Sequence, residues 1–435
     1  MKKNWLIALA AVSFSLVTCC TPKTLPVIHT GDILNKPLEI LTLDATPRNN
    51  HQIYQVNLKL YGSGGAFGKV QARLDDIKAL GTEILYLMPV YPEGKTKAIG
   101  SPYCISDFKA VNSSYGTLSD LKSLVDAAHA KGMKVMFDWV ANHTAWDNPW
   151  ITDHPDWYEK NAKGEIVCPT KDGVWSDVAQ LDYSNKGLWT AMEDALLYWV
   201  KTLDIDGYRC DYAHGVRDDF WKEAIAKIKE LKPGFIMLAE SDYERMFDDG
   251  FDIIFDRAMK SNVIKLFNGG KPSDFFSWYK TDQSKAPAPK TKLYFVTNHD
   301  DATSDVPSAQ FSSDQGALAA FILMCSLNGS YMLYGSQETG YDKTINFFNT
   351  MTFDWNADAA LTVKYKEALT SLSKIDRSDI LRVFMLDTLV FVVYGSGDVV
   401  AVNTGKATVT VAPPSGLTAS LPEKIVVGPY EYAVW

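Results

Sequence analysis

The sequence predicts an α/β fold: a closed (β/α)8 barrel of the TIM type, a short insert after its third strand, and a C-terminal antiparallel β domain. Three observations predict it. Eight short apolar segments recur along the chain, each followed by sequence with a helical character. One aperiodic stretch rich in Trp, Asp and Pro, at about 143–183, interrupts that alternation. After about residue 376 the texture turns β-branched, with Gly, Asn and Pro at turns. Repeated strand–helix alternation implies a parallel sheet, and eight units over this span suit a closed barrel better than an open sheet.

The strands read, in order, IYQVNLKLY, ILYLMPV, KVMFDWV, DGYRCDY, GFIMLAE, FDIIFD, KLYFVTNHD and SYMLYG. Between them, VQARLDDIKALG and LSDLKSLVDAAHAKG place apolar residues at helical spacing and end on glycine, the usual stop for a helix. LWTAMEDALLYWVKTL and DFWKEAIAKIKEL read as two further helices. The closing segment from LRVFML to YEYAVW carries strand signals and no helical period. The boundaries are therefore 1–19, an export signal; 20–45, a linker; 46–376, the barrel with its insert; and 377–435, the β domain.

Lys2 and Lys3 precede the apolar run WLIALAAVSFSLV, which is too short and wrongly flanked for a stable membrane span. The run ends at LVTCC, where Leu16 stands three residues before Cys19 as in a bacterial lipobox. The expectation is an exported lipoprotein, anchored through a lipid on Cys19 at the periplasmic side or the cell surface. The net charge is -9 and no basic block follows the signal, so a nucleic-acid partner is not expected. Four more cysteines are too few for a disulfide scaffold. Cys210 and Cys325 lie in apolar runs and read as buried thiols, whereas Cys104 and Cys168 lie in loops, where export would permit a bond. Five tryptophans, Trp139, Trp146, Trp150, Trp157 and Trp175, cluster in and beside the insert and read as a binding surface.

In a barrel of this kind, chemistry sits at the carboxyl ends of the strands. The third strand ends with Asp138, Asn142 and His143. The fourth ends with Arg209 and Asp211, which share a face because strand side chains alternate. The fifth ends with Glu240, and the seventh with His299 and Asp300. Convergent acids suit glycoside cleavage, in which one carboxyl stays protonated and another stays ionised. Glu240, after four apolar residues, is expected to be the neutral acid. Asp211, beside Arg209, is expected to be held ionised and aimed. His143 and His299 are expected to bond sugar hydroxyls, and Tyr103 to stack beneath a sugar ring.

These motifs resemble the α-amylase family, glycoside hydrolase family thirteen. DWVANH, GYRCDYA, LAE and VTNHD are similar, in order, to the four motifs of that family. GSPYCISDFKAVNSSYGT resembles the segment after its second strand, and MLYGSQETG its eighth-strand end. The resemblance implies a retaining mechanism with Asp211 as nucleophile, Glu240 as general acid/base and Asp300 as transition-state stabiliser. It implies that Tyr103, His143, Arg209 and His299 bind the sugar whose bond is broken. The insert matches the family's B domain and the final β region its C domain. Many relatives have Lys-His three and four residues after the nucleophile, where this chain has His214 and Gly215. A calcium site through Asn142 is also carried over from the family, and Asp177 and Asp182 in WSDVAQLDYSN, a stretch that is not the family's usual B-domain form, are candidate additions to it; no organic cofactor is expected. The activity implied is cleavage of α-1,4-glucosidic bonds in starch-derived glucans or maltooligosaccharides. Cyclomaltodextrinase, neopullulanase, α-glucosidase and glucosyl transferase activities remain open on the same acids, as does a non-catalytic glycan-binding lipoprotein.

Overall fold

The structure is a computed structural model that describes residues 41–42, 48–414 and 421–435. The export signal, Cys19 and most of the linker lie outside the described residues. Residues Leu41–Thr42, inside the span read as linker, form a short strand instead, paired antiparallel with Arg382 and Val383.

Eight parallel strands close on themselves: β1 (Gln52–Val56), β2 (Ile84–Leu87), β3 (Lys134–Val140), β4 (Gly207–Asp211), β5 (Ile236–Ala239), β6 (Ile253–Phe255), β7 (Thr291–Tyr294) and β8 (Ser330–Tyr334). Each pairs with its chain neighbour, and β8 returns to β1. All eight segments predicted from the sequence become barrel strands. They are nearly continuous apolar runs because both faces of a parallel sheet are covered. Ile53, Tyr86, Met136, Leu238, Phe255 and Met332 belong to a separate buried cluster that fills the barrel interior. The same alternation that turns Met136 and Leu238 inward carries Asp138, Arg209, Asp211 and Glu240 toward the axis, with Asp138 and Glu240 each two residues nearer the carboxyl end.

Two of the boundaries that differ from the sequence reading have a visible cause. The first strand stops at Val56, because the Asn57 side chain accepts from the Lys59 amide and turns the chain into a 3-10 helix over Leu58–Leu60. The helix predicted over VQARLDDIKALG is two, Ala66–Ala72 and Leu74–Ala79, broken at Arg73. The Arg73 guanidinium donates to the Tyr61 hydroxyl at 3.0 Å and lies 3.6 Å over the Trp355 ring, so the break serves side-chain packing.

The insert is closed at its base by an antiparallel pair, His143–Ala145 with Val178–Gln180. Behind the barrel, strands 380–386, 389–394, 399–403 and 432–434 form an antiparallel sheet that also takes up Leu41–Thr42. A buried helix, Asp314–Ser326, lies between this sheet and the barrel. The sheet reaches across to it through the Tyr394 hydroxyl, which donates to the Ser326 carbonyl at 2.7 Å. Cys104, Cys168, Cys210 and Cys325 are all free thiols; Cys104 is buried and donates to the Asp177 carbonyl, so the Cys104–Cys168 bond that export would permit is not made.

Candidate active site

A cleft of about 440 Å³ opens at the carboxyl ends of the strands, and Tyr103, His143, Asp211, Glu240, His299 and Asp300 all line it. Arg209 is the fixed point beneath them, with its side chain fully buried. Its Nη1 donates to Asp138 Oδ1 at 2.7 Å and to Asp211 Oδ1 at 2.9 Å, and its Nη2 pairs with Glu240 Oε2 at 3.0 Å. The pairing of Arg209 with Asp211 on one strand face is the one the sequence predicts. Asp138 is completely buried and also accepts from the Tyr86 and Tyr103 hydroxyls. It anchors the arginine and stands away from the cleft.

The charge pattern departs from the expectation that Glu240 is neutral and Asp211 ionised. Burial drives the Asp211 carboxyl well above the usual carboxylate range. Arg209 opposes that, but Glu240, Asp138 and Asp300 add to it. Burial acts on Glu240 too, yet Arg209 and Arg257 together outweigh it and hold Glu240 below its ordinary value. Arg257 is the reason the sequence reading fails. Its Nη2 donates to Glu240 Oε1 at 2.8 Å, and its Nη1 to Asp242 Oδ2 at 3.0 Å. Asp300 is raised to about 7 by burial and by the charge on Glu240. Five carboxyls, Asp138, Asp211, Glu240, Asp242 and Asp300, surround two guanidiniums, so the acids cannot all ionise together near neutral pH.

Tyr212, directly after Asp211, adopts a left-handed backbone at φ 42° and ψ 45°. This conformation is costly for an aromatic residue and it turns the amide toward Glu240 Oε2, 2.8 Å away. Gly215 makes the turn possible, since a Cβ there would fall 2.1 Å from the Tyr212 ring. That accounts for glycine at a position where relatives carry histidine.

His299 is not free for a sugar hydroxyl in the way expected. Its Nδ1 pairs with Gln55 Nε2 at 2.8 Å and its Nε2 with the Tyr103 hydroxyl at 2.7 Å. Burial, with Arg209 nearby, keeps it neutral. Tyr103 stacks on His299 at 5.3 Å, so the two rings form a shared wall of the cleft. Burial pushes His143 down to about 4, which also leaves a neutral imidazole at the cleft. His214 sits against the Tyr212 and Tyr243 rings and 3.7 Å from Asp172, and it does not line the cleft. Of the five clustered tryptophans only Trp175 lines the cleft. Trp139 is buried in the barrel wall, Trp157 stacks on His154, Trp150 packs on Phe108, and Trp146 lies under Lys97. They are packing residues, which corrects their reading as a binding surface.

Residues 45–169 match the family model described as "Alpha amylase, catalytic domain". An α-amylase structure from Lactobacillus plantarum superimposes with a TM-score of 0.78 at 28% identity, over 88% of this chain and 98% of that one. An α-amylase of Haloarcula japonica is 27% identical over 66% of this chain and 44% of its own length. An α-1,4-glucan:maltose-1-phosphate maltosyltransferase of Rhodospirillum rubrum is 31% identical over 41% of this chain and 29% of its own length. The match is to the α-amylase catalytic domain over residues 45–169, and the structural likeness to an α-amylase extends over 88% of the chain. The chain spans less than half the length of these two curated relatives.

Within this α-amylase fold, the residues expected to hold calcium do not fit the ion as they are arranged. The Asn142 carbonyl and side-chain oxygens both accept from Gln180 Nε2, at 3.0 and 3.2 Å, and the Leu181 carbonyl accepts from the same nitrogen at 3.1 Å. An amide NH2 thus stands where three oxygens converge. Asp177 lines the catalytic cleft instead, and Asp182 caps the Ser184 amide. Calcium takes six to eight oxygens, and among the described residues no three His, Cys, Asp or Glu side chains are grouped to hold a metal. Sequence reasoning also missed Arg257. The available signal was an arginine at the first turn of a helix, Arg257–Phe267, where the macrodipole disfavours a cation.

Proposed function

We propose that this protein is a retaining glycoside hydrolase that cleaves α-1,4-glucosidic bonds in starch-derived glucans or maltooligosaccharides. The observation that carries this is the convergence of Asp211, Glu240 and Asp300 on one cleft, with Asp211 and Glu240 held by the two terminal nitrogens of a single buried guanidinium. One guanidinium spanning both carboxyls favours the short separation of retaining enzymes, about 5–5.5 Å, over the about 6.5–9.5 Å of inverting ones.

In this reading the proton that burial favours on Asp211 leaves it, and Glu240 takes one up, before the chemical step. The Asp211 carboxylate then attacks the anomeric carbon while Glu240 gives its proton to the departing glycosidic oxygen. Water, deprotonated by Glu240, then attacks from the face that the leaving group vacated and displaces Asp211, so that two inversions retain the configuration. Asp300 holds the sugar as charge develops on its ring, beside the wall that His299 and Tyr103 form together. The neutral His143, with Tyr103 and Trp175, forms the apolar and hydrogen-bonding walls. A transferase runs the same steps with a sugar hydroxyl in place of water, and the maltosyltransferase relative supports keeping that reading second. Incubating the purified protein with amylose, pullulan and maltoheptaose tests both. Short maltooligosaccharides from amylose and maltoheptaose support the hydrolase. Products longer than the input support the transferase. No product from the folded protein contradicts both.

We also propose that the chain is exported and tethered by a lipid on Cys19, on the strength of the charged start, the apolar run and the Leu16–Cys19 spacing. No described helix is long and apolar enough to cross a membrane. Labelled palmitate incorporated by the parent chain and lost in Cys19→Ser would support the anchor; equal labelling of both would contradict it.

A further inference from the structure

Every contact that Glu240 makes in this arrangement favours its carboxylate over its acid form. Oε2 faces the Tyr212 amide at 2.8 Å and Arg209 at 3.0 Å, and Oε1 accepts from Arg257 at 2.8 Å. A general acid must present a hydroxyl to the leaving oxygen, and that proton is held more readily if one of these donors yields. Arg209 cannot: it is fully buried and bonded to Asp138. The Tyr212 amide belongs to the backbone. Arg257 is different. Its side chain is 45% exposed, beside the cleft-lining Glu240. It stands in the first turn of its helix, where the macrodipole repels it. It also has a second holder in Asp242, which accepts both its Nη1 at 3.0 Å and its backbone amide at 3.1 Å.

We propose that Arg257 is a movable latch on the general acid, pairing with Glu240 Oε1 until a glycan enters and then swinging onto Asp242 alone. The proposal rests on the hydrolase reading above. Arg257 acts through Glu240 and is a positioning residue. Once Arg257 has moved, Oε1 takes a proton from solvent. Glu240 then gives that proton to the glycosidic oxygen as the C–O bond breaks and the Asp211 oxygen bonds to the anomeric carbon. The groups facing Glu240 are Arg209 and Asp211 from the fourth strand, His214 from the loop after it, Asp242 on its own loop, and His299 and Asp300 from the loop after the seventh strand, besides Arg257. Both histidines are pushed toward the neutral form by burial. Arg257 is therefore the one exposed cation in the set, and its departure removes a charge that favours the anion while burial continues to favour the acid.

The test is the carboxyl titration of Glu240, followed by carbon NMR in full-length protein carrying labelled glutamate, with the resonance assigned by its absence in Glu240→Gln. Arg257→Met is expected to raise the Glu240 midpoint by about 1–3 pH units, the effect of losing one close cation, and Arg257→Lys to restore most of the shift. The basic limb of kcat/KM on maltoheptaose should move up with it. In the Asp211→Asn protein, saturating maltoheptaose should raise the Glu240 midpoint in the same direction. An unmoved midpoint in Arg257→Met, or one unmoved by sugar, overturns the latch. So does a shifted midpoint with an unshifted kcat/KM profile. If the parent protein releases no sugar at all, the hydrolase reading fails, while the Arg257→Met titration still decides whether Arg257 governs Glu240.

Discussion

Single residues carry the sharpest consequences. Glu240→Gln keeps the shape and the Tyr212 contact but cannot donate a proton, so turnover should fall about 10²–10⁴-fold, the usual worth of a general acid, with thermal stability nearly unchanged. Steady-state kinetics and a melting curve on the same sample check both. Arg209→Met should behave differently. It strands Asp138, fully buried and otherwise bonded only to tyrosine hydroxyls, and breaking a buried pair from one side costs about 3–5 kcal/mol. Denaturant titration should show that loss along with inactivity. Gln180 supplies a third case. Because its amide already joins Asn142 and Leu181, chelators should leave activity and melting temperature unchanged. A drop restored by added calcium would contradict the geometry.

Elements explain what was legible in the sequence and what was not. The eight barrel strands were legible because two-sided burial writes each as an apolar run. The carboxylates were legible because they follow those runs at fixed parity. Helix breaks such as Arg73 were not, since a distant aromatic, Trp355, decides them. The protonation pattern was not legible either. Glu240 looks neutral when only its own strand is considered, and becomes the better-paired acid once Arg257 arrives from the following helix. The insert's tryptophans misled because a polar, aperiodic stretch still needs a core of its own, and Trp150 and Trp157 provide it. The turn after β4 yields a prediction at this scale. Gly215→Ala should push the Tyr212 ring aside, cost about 1–3 kcal/mol as overpacking does, and reduce kcat by moving the amide off Glu240. The melting curve and kcat of that one variant check the pair of effects.

The whole molecule depends on buried charge and on its C-terminal sheet. Asp256 caps the helix Arg257–Phe267 through the Met259 amide. Burial, with Asp282 beside it, raises its carboxyl to about 8. A carboxyl raised in the fold contributes stability that is complete below the unfolded value near 4 and is lost as pH climbs through about 8. Asp256→Asn keeps the cap without the charge, so its melting temperature should exceed that of the parent at pH 8–9 and match it near pH 4. The buried helix Asp314–Ser326 is covered on one side by the C-terminal sheet, through Tyr394 and Arg377. A chain ending before that sheet should expose this helix and lose its cooperative melt. All of this serves to hold two acids on one arginine at the mouth of a rigid barrel. The most direct test of that central claim is proton NMR of the sugar ends released from maltoheptaose in the first minutes of reaction. Retention predicts that the α-anomer appears first and the β-anomer only by later mutarotation; β-anomer first would contradict the assignment of Asp211 as nucleophile and Glu240 as its acid.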